Sequence, residues 1–374
     1  MPIAAVSQSV RNAMHGTNKL TIGLFGANCS SGRAVTMVPE RWSGDWPDNM
    51  KLVQMADAAG IDFMLPIGRW KGYGGDTDYQ GSTFETINWA SGLLALSKRI
   101  TVFGTVHAPL FNPIIAAKMM TTADHIGQGR FGLNIVCGWN EDEFEMFGVS
   151  QRDHERRYEF AQEWWDAVQL AWSDKDNFDY DGEHLHLKGI RSKPKPYGGS
   201  RPVVMNAGAS PNGRTFAIRN CDAFFTRAER DSLAETKSRV QGFKAQAREL
   251  GREMDVYTVG VVTCRPTKKE AQDYYAHTVI ENADWRAVDG ILKKKNLSPE
   301  TVGMEAFQMH RRHYANGMGG YALVGDPDQV ARELADLAGA GLRGIAISFV
   351  NYVAELPYFA AEVIPRLRQM GLRT

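Results

Sequence analysis

An amide inside an otherwise apolar run is the first residue whose placement suggests chemistry. GRFGLNIV (129–136) reads as a buried strand carrying Asn134, and an amide there is costly unless something bonds to it. The run continues through Cys137-Gly138-Trp139 into the acidic EDEFE. A second apolar run, ITVFGTVH (100–107), ends in Thr105-Val-His107. If the two runs are adjacent strands, Thr105 and Asn134 face one cavity; the alternative is that Asn134 satisfies neighbouring backbone. Asn206-Ala-Gly-Ala-Ser210-Pro-Asn-Gly follows the apolar PVVM and opens a helix. Its free N–H groups and positive dipole end suit an anion, the alternative being an ordinary capped helix. Gly68-Arg69-Trp70-Lys71-Gly72-Tyr73-Gly74-Gly75 is a loop whose glycines allow backbone to approach a flat ligand; otherwise it is a flexible connector.

Other chemistries fit less well. There is no H-E-x-x-H, and His184-x-His186 and His310-x-x-His313 are the only close histidine pairs, so no metal is expected. His310 and His313, beside Arg311 and Arg312, read as a cationic patch that is solvated or carried on a lid. Gly317-Met-Gly319-Gly-Tyr-Ala322 matches a dinucleotide fingerprint by letter, but a strand-like ALVGD follows it where a helix is required. No G-x-S-x-G elbow presents a serine nucleophile. The carboxylates from Glu141 to Glu145 fit a solvated loop or helix start as well as a glycosidase pair.

The elements that must position these residues alternate from residue 20 onward. LTIGLFG, IDFMLPI, ITVFGTVH, GRFGLNIV, RPVVMNAG, AFFTR, VYTVGVVTC and GIAISFV supply eight strands, with helical stretches between them. Continuous Val/Ile/Leu runs point to strands covered on both faces. Eight βα units over this length predict a TIM (β/α)8 barrel with insertions rather than a doubly wound sheet. Residues 1–19 read as an N-terminal extension and 20–374 as a single barrel domain, with insertions at about 177–200 and 281–322. The first insertion predicts a β-hairpin; the second, charged and glycine-bearing without a clear strand, is a candidate lid, the alternative being a surface excursion. Asn112-Pro113, Ser210-Pro211 and Asp326-Pro327 each mark a helix start.

Composition narrows the partners. Among 374 residues, 43 Lys+Arg balance 43 Asp+Glu, which removes the whole-molecule attraction of a nucleic-acid or anionic-membrane binder and leaves a small molecule as the expected partner. Cys29, Cys137, Cys221 and Cys264 lie far apart, as reduced thiols of a cytoplasmic protein would. No stretch reaches the roughly 20 apolar residues of a membrane span.

Taken in order, GRFGLNIVCGWNEDEF, DHERRYEFAQEWW, FDYDGEHLHLKGI with KPKP, MNAGASPNG and ALVGDPDQVARELADLAGAG resemble the bacterial luciferase-like flavin monooxygenases. Within that family the likeness is nearest to the pyrimidine (uracil) and dimethylsulfone monooxygenase types. The resemblance implies a luciferase-like barrel that uses reduced FMN and O2, with flavin supplied by a separate NAD(P)H:flavin reductase, in a homodimer or homotetramer. It implies chemistry through a flavin peroxide, with N5 its candidate position, on a pyrimidine, other heterocyclic amide, sulfone or sulfonate. By motif, it implies flavin contacts at Asn134, Glu143, Arg157, Tyr158 and Ser210, and at Gly68 and Arg69, where this chain departs from the usual Ile-Lys. It implies that Thr105 and Asn134 hold O2 and that Trp139 walls the site, these three being the expected catalytic residues. Two other readings are a deazaflavin-dependent oxidoreductase of the same superfamily and a non-catalytic flavin-binding protein.

Overall fold

Runs such as TIGLF and FGLNIV have no polar face to turn toward water, so they need cover on both sides. The computed structural model, which describes residues 14–138, 140–149, 154–230 and 232–374, gives them that cover. The strands are β1 (Thr21–Phe25), β2 (Phe63–Leu65), β3 (Thr101–His107), β4 (Phe131–Val136), β5 (Phe178–Asp181), β6 (His186–Ile190), β7 (Val203–Asn206), β8 (Ala223–Phe225), β9 (Asp255–Cys264), β10 (Tyr321–Gly325) and β11 (Gly344–Ser348). Parallel pairing runs β1-β2-β3-β4-β7-β8-β9-β11, and β11 returns to β1 through pairs such as Ile22 with Ile345. The eight strands expected from the sequence are thus the eight staves of a closed barrel. The ninth parallel strand, β10, lies along only the outer half of β9, with Tyr321 opposite Gly260 and Gly325 opposite Cys264.

The helices form where capping and periodicity place them. Asn112 accepts from the N–H groups of Ile114 and Ile115, Ser210 from that of Gly213, and Asp326 from that of Gln329, each with proline next in line. On the helix His154–Trp172, the predicted inner face of Phe160, Trp164, Val168 and Ala171 is buried. No helix among the described residues is long and apolar enough to cross a membrane.

Aromatic rings fill the barrel, and glycines opposite make room for them. A Cβ on Gly23 would lie 2.2 Å from the Phe63 ring, and one on Gly132 would lie 2.4 Å from the Phe103 ring. Phe63, Leu65, Phe103, Met205, Phe225 and Tyr257 pack here, together with Met14 from the segment before β1.

The insertions differ in kind. The first contains the antiparallel β5–β6 hairpin. The second is helical, over Trp285–Lys294, Pro299–Val302 and Met304–Ala315. It is not the sparsely anchored lid expected from its charge, because Ala287, Val288, Ile291, Leu292 and Ala315 are buried against Val35, Tyr73 and Tyr79. Each full burial of a Val, Ile or Leu side chain contributes about 1.5–3 kcal/mol, enough to dock these helices as a fixed wall.

Candidate active site

Above the aromatic fill, β3 and β4 present a polar pair toward the C-terminal mouth. Thr105 and Asn134 are register partners, and Asn134 is also opposite Met205 of β7. Thr105 donates its hydroxyl proton to the Pro66 carbonyl at 2.7 Å. Its oxygen is then left only as an acceptor, and Asn134 Nδ2 donates to it at 3.2 Å. This chain fixes the amide's orientation and turns Asn134 Oδ1 away, buried and without a hydrogen-bond partner among the described residues. Leaving such an acceptor unmade costs about 1–3 kcal/mol. The bland alternative, an amide that satisfies neighbouring backbone, does not describe this geometry.

Gly68 closes in on the pair from the β2 loop. A Cβ there would lie 2.9 Å from Thr105 Cγ2 and 2.8 Å from His107 Cε1, so a side chain at 68 would push both residues out of place. The next residue, Arg69, donates to Glu143 Oε1 at 2.9 Å, and the backbone N–H groups of Trp70 and Lys71 converge on the same oxygen. Arg69 also stacks over Tyr73. In this structure Glu143 and Arg69 therefore hold the 68–71 loop together. His107, left unassigned by sequence reasoning, completes the cluster, with its Nε2 4.0 Å from Glu143 Oε2. Burial lowers its pKa to about 4, against an upward pull from Glu143, so the ring is neutral at pH 7. Its position two residues beyond Thr105 on the same strand face was the signal available in the sequence.

The neighbouring strand, β7, leads into the anion-site candidate. Asn206 donates to the Ile135 carbonyl and accepts from the Gly208 N–H, which shapes the turn leading to Ser210. The Tyr158 hydroxyl fills the space beside Gly208 and Gly213, 2.6 Å from where either Cβ would sit. Arg157 Nη1 donates to the Gly138 carbonyl at 2.8 Å, and its Nε is buried without a partner. Tyr158 and Ser210 thus come together, with Arg157 adjacent in sequence on the same helix. Trp139 lies outside the described residues.

Two cavities flank these groups. One, of about 310 Å3, opens between the ends of β7, β8 and β9 and the second insertion, with Phe225, Arg227, Thr258, His310 and His313 among its walls. Burial holds His313 below the ordinary histidine pKa, so His313 adds little charge to the His310–His313 segment. Arg311 is ion-paired with Asp289 at 2.6 Å and stacked on Trp285. The other cavity, about 460 Å3, lies along the helices of Tyr158 and Phe216, and its Glu159 and Glu163 suit a phosphate poorly.

A closed parallel barrel with convergent polar groups at the carboxyl ends of its strands is the (β/α)8 architecture, whose enzymes carry their sites at that face. The chain belongs to the luciferase-like monooxygenase family, whose model matches residues 21–344. It is 30% identical over 350 residues to the FMNH2-dependent dimethylsulfone monooxygenase of Pseudomonas putida, covering 92% of this chain and 94% of that one. It is 27% identical to a pyrimidine monooxygenase of Acinetobacter baylyi, at 92% and 94% coverage. Its fold superposes on DmoA of Hyphomicrobium sulfonivorans with a TM-score of 0.85 at 17% identity, covering 95% of this chain and 89% of that chain.

FMN fits the residues present. The orphaned Asn134 Oδ1 calls for an N–H donor, which a flavin ring carries, and the Ser210 helix start beside the Tyr158 hydroxyl suits its phosphate.

Proposed function

We propose that the barrel mouth binds reduced FMN and catalyses the monooxygenation of a small pyrimidine, other heterocyclic amide, sulfone or sulfonate. The reduced flavin arrives from a separate NAD(P)H:flavin reductase. Family membership and the FMNH2-dependent relative support the cofactor and reaction class. The observation that carries the assignment to this mouth is the buried, unpartnered Asn134 Oδ1 beside a proton-committed Thr105.

Reduced FMN, when bound, supplies two electrons to O2, one oxygen atom of which enters the substrate. Ser210 and the helix start behind it hold the phosphate, with Arg157 supplying positive charge and Tyr158 a hydroxyl. Gly68 lets backbone approach the ring face, while Arg69 and Glu143 fix the loop that carries it. Asn134 Oδ1 would accept from an N–H of the bound flavin, and Asn134 and Thr105 would be the polar groups on the O2 side of the site. Trp139 joins this wall on the strength of the resemblance alone. The neutral His107 places no strong acid beside Thr105, and the docked second insertion keeps water from the mouth. Assembly as a homodimer or homotetramer in the cytoplasm is part of the same proposal.

Anaerobic titration with reduced FMN and with reduced deazaflavin tests the cofactor, and oxygen uptake in the presence of uracil, dimethylsulfone and alkanesulfonates tests the reaction. Preference for deazaflavin together with indifference to O2 would sink the reading.

A further inference from the structure

Three arginines are buried among the described residues: Arg33, Arg69 and Arg373. Arg69 is paired with Glu143 and Arg373 with Asp62. Arg33, 7% exposed, has no carboxylate partner among the described residues. Its Nη2 donates to the Gly317 carbonyl, its guanidinium lies 4.6 Å from the centre of the Phe25 ring, and its Nε is buried with nothing to donate to. The titratable groups that act on it are Tyr79, Tyr352, Cys29 and Tyr73. Burial pushes Cys29 and Tyr73 each up to about 12 and raises both other hydroxyls, so all four keep their protons at neutral pH. A desolvated cation among neutral neighbours is unfavourable until an anion joins it.

Its location says which anion. Phe25 ends β1 and packs with the barrel's inner side chains, so the charge sits at the mouth. The loop it bonds, 316–319, lines the 310 Å3 mouth cavity through Met318 and Gly319. In the closed strand order β1 is four strands from β7 in either direction, so Arg33 and the Ser210 helix start stand on opposite walls. A phosphate held at Ser210 therefore leaves Arg33 unmatched.

We propose that Arg33 is the receptor for an anionic group of the substrate, a carboxylate or sulfonate, at the β1 wall of the mouth. A planar guanidinium whose Nε has no partner among the described residues can meet either group through paired, charge-assisted hydrogen bonds once the 316–319 loop that covers it gives way. The proposal rests on the reading of this mouth as the substrate site, and it separates this chain from relatives named for a neutral sulfone or a pyrimidine. Within the proposed substrate range it favours the sulfonate arm and adds carboxylates.

The test uses matched acid and neutral probes: methanesulfonate and longer alkanesulfonates against the corresponding sulfones, and acetate against acetamide. Calorimetric titration of the FMN-loaded protein should show acids binding at least about tenfold more tightly than their neutral isosteres. Arg33→Met should remove about a tenfold or greater share of acid affinity while leaving neutral probes unchanged, and Arg33→Lys, which keeps the charge but not the planar fork, should retain only part of it. Should Arg33→Met not fold, a rise in the wild-type Tm with the acids and not with their isosteres reads the same preference. Equal binding of acid and isostere by the wild type, or unchanged acid binding in Arg33→Met, would overturn the proposal. So would weaker reduced-FMN binding in Arg33→Met with acid binding intact, since the guanidinium would then serve the flavin ring. Failure of the wild type to bind reduced FMN anaerobically would instead remove the flavin reading, and the acid arm would still decide the role of Arg33.

Discussion

The two ends of the barrel treat a buried arginine differently. At the floor, Arg373 meets Asp62 at 2.6 Å, and Asp62 also accepts from Asn18 and from the Ile22 backbone. At the mouth, among the described residues, Arg33 has no carboxylate and Asn134 keeps an acceptor with nothing to accept. Both ends are dry enough for such choices to matter, so the contrast separates polar groups that hold the fold from groups left open for a ligand. Barrel enzymes divide labour along the same axis, with stability at the amino ends of the strands and chemistry at the carboxyl ends.

The largest effect that would sharpen this contrast is at the floor. Asp62→Ala strands Arg373 in the interior and should cost about 3–5 kcal/mol in urea unfolding, with reduced-FMN affinity per folded molecule unchanged. A loss confined to flavin binding would break the division between the two ends.

Next comes the pH dependence of the mouth. His107 has a folded pKa of about 4 against roughly 6.5 unfolded, so the folded state binds fewer protons between those values. Its contribution is present above about pH 6.5 and is lost as pH falls toward 4, roughly 3 kcal/mol in all. Urea midpoints of the wild type should fall across that window, and those of His107→Gln should fall less.

Asn134→Ala should lower oxygenation by about 100-fold, since it removes one positioned polar group, while the protein stays folded. Product formation and thermal unfolding, measured on the same preparation, check both halves. The smallest effect is Ser210→Ala, which removes a cap worth about 1 kcal/mol and should weaken FMN binding several-fold. Fluorescence titration against a cap substitution far from the site, Asp326→Ala, isolates the ligand's share.

Legibility followed the range of the interactions. Strands and helix starts are local, and continuous apolar runs and Asn-Pro, Ser-Pro and Asp-Pro pairs marked them. The pairing of Thr105 with Asn134 was readable once the two runs were taken as neighbours. The link from Glu143 to the 68–71 loop was not, because it joins residues 74 apart through a buried oxygen. Arg33 gave no signal at all: its meaning is the absence of a partner, which only packing reveals. The anchoring of the second insertion was not legible either, because its buried residues meet Val35, Tyr73 and Tyr79, remote positions that no local window contains.

The most direct test of the mouth as the oxygenating site is single-turnover incorporation of labelled oxygen. Wild-type protein and Asn134→Ala are each loaded anaerobically with reduced FMN, then mixed with 18O2 and the panel of uracil, dimethylsulfone and alkanesulfonates. Label in a product from the wild type, with Asn134→Ala binding flavin but returning unlabelled substrate, is the expected result. Equal label from both proteins would contradict it.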